Sequence, residues 1–227
     1  MIFTKVRTFL NESIPDDSFT TSSELAIRLN ASMSENEINT QQDMTLPVIP
    51  LRGMAILPDT IIHFDLNREA SIRALEFAMV RGGTLFLTAQ KDPDVEKPKP
   101  EQLCRIGTTA QVKQITKLPG QVVRVLVESR YRGKLLEINE ENTKFLEARV
   151  QVIPEEEELS EEEQVLQEAM LRQVKELFAQ FAVHYPKLDK NAMQRYANMK
   201  SLGRLLDQIA MNLPTDYEKK QQALETI

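Results

Sequence analysis

The sequence predicts an α+β chain in which a β-rich, barrel-like domain from about Leu46 to Pro154 precedes a helical bundle over 155–227. Three observations carry that reading. Apolar residues alternate with period two along Val123, Val125 and Val127, but recur at helical spacing along Leu166, Met170, Val174, Leu177 and Phe181. The change of period falls at Pro154 and the acidic run Glu155–Glu158. Six of the seven glycines lie between Gly53 and Gly133, where strands and turns need them.

Residues 1–45 lack glycine and are rich in Ser, Thr, Asn, Asp and Glu, with one short helical candidate from Ser22 to Leu29. They offer too little apolar surface to offset the entropy of ordering, so a flexible extension is expected. Ala31-Ser32 ahead of Met33 resembles a cloning junction, and two readings of 1–32 stay open: fused or vector-derived sequence, or a native extension. Pro47 and Pro50 lack amide donors, which confines their run to a sheet edge or a bulge, and Gly53 permits a turn. Thr60 to Phe64 reads as a strand. From Arg68 onward the spacing predicts a helix with Ile72, Leu75 and Met79 on one face.

Cys104 to Ile153 reads as strand after strand, with turns at Gly133 and over 139–142, a spacing that suggests a small barrel. Ser160-x-x-Glu163 is a capping box, and the glutamates around it favour the positive end of a helix dipole. The long helix that it opens stops before Pro186. A second helix is expected from about Asp189 to Tyr196, a third from Met199 to Leu213, and a fourth over 216–227 capped by Thr215-x-x-Glu218 and still in periodic register at Ile227. Short loops make these antiparallel neighbours.

The net charge of −6 is uneven. Residues 1–45 carry three basic and seven acidic side chains, 46–154 sixteen and thirteen, and 155–227 nine and fourteen. No apolar run approaches the ~18 residues that span a bilayer, and MIFTKVRTFL lacks the core and cleavage site of a secretory signal, so a cytoplasmic protein with no membrane partner is expected. The single cysteine, Cys104, excludes an internal disulfide and fits a reducing compartment. No GxxxxGK[ST] loop is present to cradle nucleotide phosphates. Lys200-Ser201 is adjacent in sequence but opens a helix, where capping or solvation is the plainer role. His63 and His184 have no Cys or acidic partners at ligand spacing. The reading is therefore no catalytic constellation, no metal site and no cofactor in this chain.

A longer pattern runs through the sequence. Pro50-Leu51-Arg52 precedes a strand and the helix start NREASI, Asn67 to Ile72; TLFLTAQK follows at Thr84 to Lys91; then Ile106-Gly107-Thr108 with Gln111-Val112, KLPGQVVRVLVE at Lys117 to Glu128, and LLDQIAMNLPTDYEKKQQALE at Leu205 to Glu225. In this order, over about four fifths of the chain, these resemble the amino-terminal domain of the Lon family of ATP-dependent serine proteases. The hairpin is one residue shorter at its turn than the family's KLPDG form, and Ala70 replaces the family's usual lysine. The resemblance implies a PUA-like β domain, with ATP, Mg and the peptidase belonging to the parent protease. It also implies binding of unfolded or damaged polypeptides and self-association within a homo-oligomeric assembly.

Such binding needs exposed apolar surface and fixed charges. The candidates are Leu51, Met54, Leu57 and Pro58 around the proline turns, Leu118 and Pro119 of the hairpin, and Arg68 and Glu69, which the first helical turn exposes. Each apolar candidate also fits a core or turn role, the plainer reading, as do Met170, Leu177 and Phe181 for a partner groove. Two other classes stay open: a stand-alone adaptor or chaperone, and a PUA-like RNA binder using Lys113, Lys117, Arg124, Arg130, Arg132 and Lys134. Tyr131 is the only aromatic in that strip, and acidic flanks repel phosphate, which disfavours nucleic acid. The purified chain is expected neither to hydrolyse ATP nor to cleave casein; turnover above a blank that persists in Ser201→Ala would reveal a site of another kind.

Overall fold

The computed structural model describes residues 43–139, 141–153, 160–184 and 190–226. The helix expected at 22–29, the origin of 1–32 and the acidic run 155–158 lie outside them. The strands are β1 (Asp43–Leu51), β2 (Ile61–Leu66), β3 (Thr84–Ala89), β4 (Ile106–Leu118), β5 (Val122–Ile138) and β6 (Glu147–Ile153). The helices are α1 (Glu69–Val80), α2 (Glu161–His184), α3 (Lys190–Asn198), α4 (Leu202–Asn212) and α5 (Tyr217–Glu225). The chain is therefore mixed α+β, with the strands first and four of the helices after them.

The sheet runs β2-β5-β4-β3-β1-β6, and β5 also pairs with β6, so the ladder returns to its own second strand. The length of β5 allows this. Its first half, Val123 to Glu128, pairs antiparallel with β2, and its second half, Arg132 to Ile138, with β6, while β4 lies along the other side. β1 divides its pairing in the same way, antiparallel to β6 over Asp43 to Pro47 and parallel to β3 over Val48 to Leu51. Pro47 stands at the switch between partners, where a missing donor costs least.

β3 is covered on both faces, which explains its continuous apolar run. Leu85 and Leu87 join Ile49, Leu51, Ile56, Val125 and Val127 in a core capped by α1. Phe86 points the other way, into Leu46, Val48, Leu103, Leu135 and Val150. Fully burying one such side chain contributes about 1.5–3 kcal/mol, so the two layers outweigh any single surface contact. Gln90, at the end of this strand, is fully buried and donates to the carbonyls of Asp92 (3.2 Å) and Val95 (2.9 Å), ordering the loop that follows.

Two sequence expectations are corrected here. Gly133 is no turn: it lies mid-strand in β5, paired with Gly107 of β4. A Cβ at Gly107 would stand 2.3 Å from the Leu87 oxygen and 2.6 Å from Phe86 Cζ; one at Gly133, 2.7 Å from Val150 Cγ1 and 2.9 Å from Phe86 Cε2. The glycine pair makes room for the Phe86 ring. The buried face of α1 is Ser71, Ala74, Leu75 and Ala78, so Met79 faces outward. Small residues on that face let the helix lie close to the sheet.

In the helical part, Val174, Phe178 and Phe181 of α2 meet Tyr196 of α3 and Leu202, Leu205 and Ile209 of α4. Phe178 and Tyr196 pack edge to face at 5.3 Å. Phe181 is thus core, and Leu177 is exposed. The Ser160 capping box forms as expected, Ser160 N–H and Oγ–H both donating to Glu163 (2.9 and 2.7 Å); the serine hydroxyl's bond holds that carboxyl below its ordinary value. Ser201 caps α4, accepting from Arg204 N–H at 3.3 Å. Thr215 does not cap α5; Asp216 takes the N-cap position.

Gly107→Ala and Gly133→Ala are each expected to lower stability by about 1–3 kcal/mol in urea titrations. Phe86→Leu should relieve the second more than the first, because a Cβ at Gly107 still collides with the Leu87 backbone oxygen, whereas the backbone oxygen nearest Gly133, that of Gln151, is 3.6 Å away.

Candidate functional site

The segment from Leu51 to Thr60 joins β1 to β2, and its side chains turn inward. Leu51 and Ile56 enter the main core, Met54 packs half-buried against it, and Leu57 inserts between Ala210 of α4 and Leu224 of α5. Pro58 is also buried. As exposed contacts, Leu51, Leu57 and Pro58 are therefore corrected: the run is apolar because it is core. Ser129 Oγ–H donates to the Leu57 carbonyl (2.6 Å) and accepts from Thr60 N–H (3.0 Å), clamping the segment to β5.

Around Leu57 the sheet and helices are joined by polar contacts. The Arg132 guanidinium meets Asp207 two-pronged, Nη1 to Oδ2 at 2.7 Å and Nη2 to Oδ1 at 2.5 Å, with the side chains only 14% and 5% exposed. Its Nε–H donates to the Leu224 carbonyl at 3.1 Å. Gln221 donates to the Ile106 carbonyl (3.0 Å) and Gln208 to that of Asp59 (2.8 Å). A buried, geometrically matched pair of this kind fixes orientation more than it adds net stability.

This use of Arg132 takes it out of the basic strip. Arg124 is bidentate to Asp65 (2.7 and 2.8 Å), Lys113 meets Glu128 at 2.8 Å, and Arg130 lies 3.7 Å from the same carboxylate. Four of the six strip cations thus have carboxylate partners, while Lys117 and Lys134 are exposed.

Arg68 and Glu69 part company. Arg68 occupies the N-cap position of α1 half-buried, its Nη2–H donating to Gln90 Oε1 at 2.5 Å and to the Val95 carbonyl at 3.5 Å. Desolvation, then the neighbouring Arg52, hold its guanidinium below the ordinary value. It buttresses the loop after β3 rather than standing free. Glu69 is exposed as expected and pairs with Arg73 one turn on, at 2.5 Å. Leu118 is half-buried and Pro119 exposed at the β4–β5 tip, where a three-residue turn carries Gly120 at φ +79° and Gln121 at φ +61°.

Apolar surface also lies outside these candidates. Val80 is 88% exposed, Ile61 66% and Met79 46%. Met79 and Val80 close α1 beside Phe77, whose ring carries the Arg81 guanidinium at 4.3 Å and meets Phe145 at 4.8 Å. The signal was present in GluPheAlaMetValArg: with Ala74 and Ala78 inward, the larger residues after Leu75 must face out.

Residues 45–227 match the sequence family described as the ATP-dependent protease La (LON) substrate-binding domain. The chain belongs to that family. It is 37% identical over 186 residues to the Lon protease of Clostridioides difficile (strain 630), covering 82% of this chain and 24% of that protein. Against Brevibacillus choshinensis Lon protease it is 38% identical, covering 80% and 23%, and against Bacillus subtilis Lon protease 1 it is 31% identical, covering 80% and 23%. The chain thus spans about a quarter of the length of these relatives. The N terminal domain of Mycobacterium avium complex Lon protease shares the fold, with a TM-score of 0.64 at 17% identity over 81% of this chain and 91% of that one. In this Lon domain no helix among the described residues is long and apolar enough to cross a membrane.

Arg132→Met is expected to destabilise the chain by about 3–5 kcal/mol, since it strands a buried carboxylate, and the double change Arg132→Met, Asp207→Leu should recover most of that loss in denaturant titrations. The edge strand should be acid-labile. The Arg124 hydrogen bond holds the Asp65 carboxyl below its ordinary value of 3.8, so its contribution is present above that value and is lost as pH falls through the lowered one. The protection of β2 amides, measured against their intrinsic exchange rates, should fall in acid, and Asp65→Asn should flatten that dependence.

Proposed function

We propose that this chain recognises and holds unfolded, damaged or degron-tagged polypeptides for a cytoplasmic, ATP-dependent Lon-type protease, and contributes to its homo-oligomeric assembly. The match of 45–227 to the Lon substrate-binding family carries the reading. In it, ATP hydrolysis and peptide cleavage belong to the rest of the parent protein, and this chain supplies binding. We read the closed strand circuit as a PUA-like barrel over 46–154 and the following helices, 155–227, as a bundle that braces it.

The surface best suited to unfolded chains is the end of α1, Met79 and Val80, with the hairpin tip at Leu118 and Pro119 as a second contact. Apolar side chains held on rigid elements gain contact energy without the entropy of ordering the site itself. Glu69 at the opposite end of α1 supplies charge selection. Single sites of this size bind weakly, and several copies in one assembly raise capture by avidity.

Met79→Ser with Val80→Ser is expected to weaken capture of a reduced, carboxymethylated protein about tenfold, with the circular dichroism melt unchanged because both side chains already face solvent. Leu57→Ser, by contrast, should lower the melt itself. Undiminished capture by the double variant and by Leu118→Ser would refute this surface.

A further inference from the structure

β2 has an open side. Ser129 N–H donates to the Thr60 carbonyl at 2.9 Å, which sets the phase of the antiparallel ladder: Ile62, Phe64 and Leu66 turn their backbone groups to β5, and Ile61, His63 and Asp65 turn theirs away. Among the described residues no strand pairs with that outer side. The side chains of Ile61, His63 and Asp65 are all exposed on the face beside it.

Unpaired edges template further strands, and folded proteins blunt them with proline, lysine, bulges or charge. Other open stretches of this sheet carry such devices: Pro47 and Pro50 in β1, and Lys113, Lys117 and a register shift between Val112 and Gln114 in β4. β2 has no proline, lysine or bulge. Its register against β5 is unbroken, and its one acid, Asp65, is neutralised by the bidentate Arg124. Ile61, 66% exposed, begins the strand, and half-buried Leu126 lies beside His63 on the same outer face.

We infer that the outer edge of β2 binds an extended stretch of unfolded substrate as an added β-strand, through its main chain. Only an extended backbone repeats donors and acceptors every two residues, about 6.6–6.8 Å, as this edge does. Recognition of the main chain is indifferent to side-chain identity, and the neutralised edge is indifferent to charge, which suits a site that must accept many sequences. Ile61 and Leu126 add a preference for apolar or β-branched residues at alternate positions. The inference rests on the substrate-binding reading and adds its mode.

The test compares, on the full chain, a fluorescent peptide of alternating Val and Thr with the same peptide N-methylated on consecutive central amides, alongside the carboxymethylated protein. N-methylation is expected to weaken binding at least about tenfold. His63→Pro should cause a similar loss: its N–H faces outward, so proline removes a donor of the edge and spares the ladder to β5. His63→Thr should bind normally. If His63→Pro does not fold, the peptide pair decides alone. Equal binding of the two peptides, with the carboxymethylated protein still captured, overturns the added-strand mode and leaves the substrate-binding reading intact. Failure of the wild-type chain to capture either probe overturns both. A chain that runs as a dimer, reverts to monomer in His63→Pro and binds peptide unchanged assigns the edge to a second copy instead, and also overturns the inference.

Discussion

The close approach of Gly107 and Gly133 to the Phe86 ring is the constraint on which the sheet depends. β5 must run on past the point where it leaves β2 in order to reach β6, and β4 must follow it there. Two strands can cross over an aromatic ring at that distance only if neither has a side chain. With the crossing made, β5 offers both of its sides to partners along most of its length, and the ladder returns on itself. The inner layer of Leu46, Val48 and Val150 around Phe86 exists because of that closure.

The second joint is chemical. Leu57 fills the space between the sheet and α4 and α5, and Arg132, one residue before Gly133, reaches Asp207 and the Leu224 carbonyl from the same strand. A buried charge pair adds little net energy, but it admits one geometry, and apolar contacts alone admit several. Sheet and helices are in this way set in a single orientation. For the proposed holding of chains without a structure of their own, a rigid platform matters, since order already present in the site need not be made on binding. The surfaces we propose for such chains are the end of α1, the β4–β5 tip and the outer edge of β2.

The strand order of the sheet could not be read from the sequence, yet most of its strands could. Period two along Val123, Val125 and Val127 is local, and so is the capping box at Ser160; both formed where expected, whereas the proline run, read as an edge or a bulge, lies in β1 between β3 and β6. Thr215 misled because α5 starts one residue later, with Asp216 at the N-cap position and no side-chain cap bond. Gly133 misled for a different reason. A glycine needed for a turn and a glycine needed to admit a neighbour look alike in sequence, and only the position of Phe86, 47 residues earlier in the chain, tells them apart.

What the sequence determined by itself was the order of strands and helices, the family through its series of short motifs, and the need for an apolar connection between β1 and β2. The tertiary structure decided which of those apolar residues were surface. Leu57 is core because α4 and α5, from the far end of the chain, close over it; Met79 is exposed because Ala74 and Ala78 suit the contact with the sheet better. Arg132 and Arg124 are matched because strands and helices distant in sequence bring Asp207 and Asp65 to them. Burial and charge pairing are properties of what lies across a contact, and that partner is chosen by the fold as a whole.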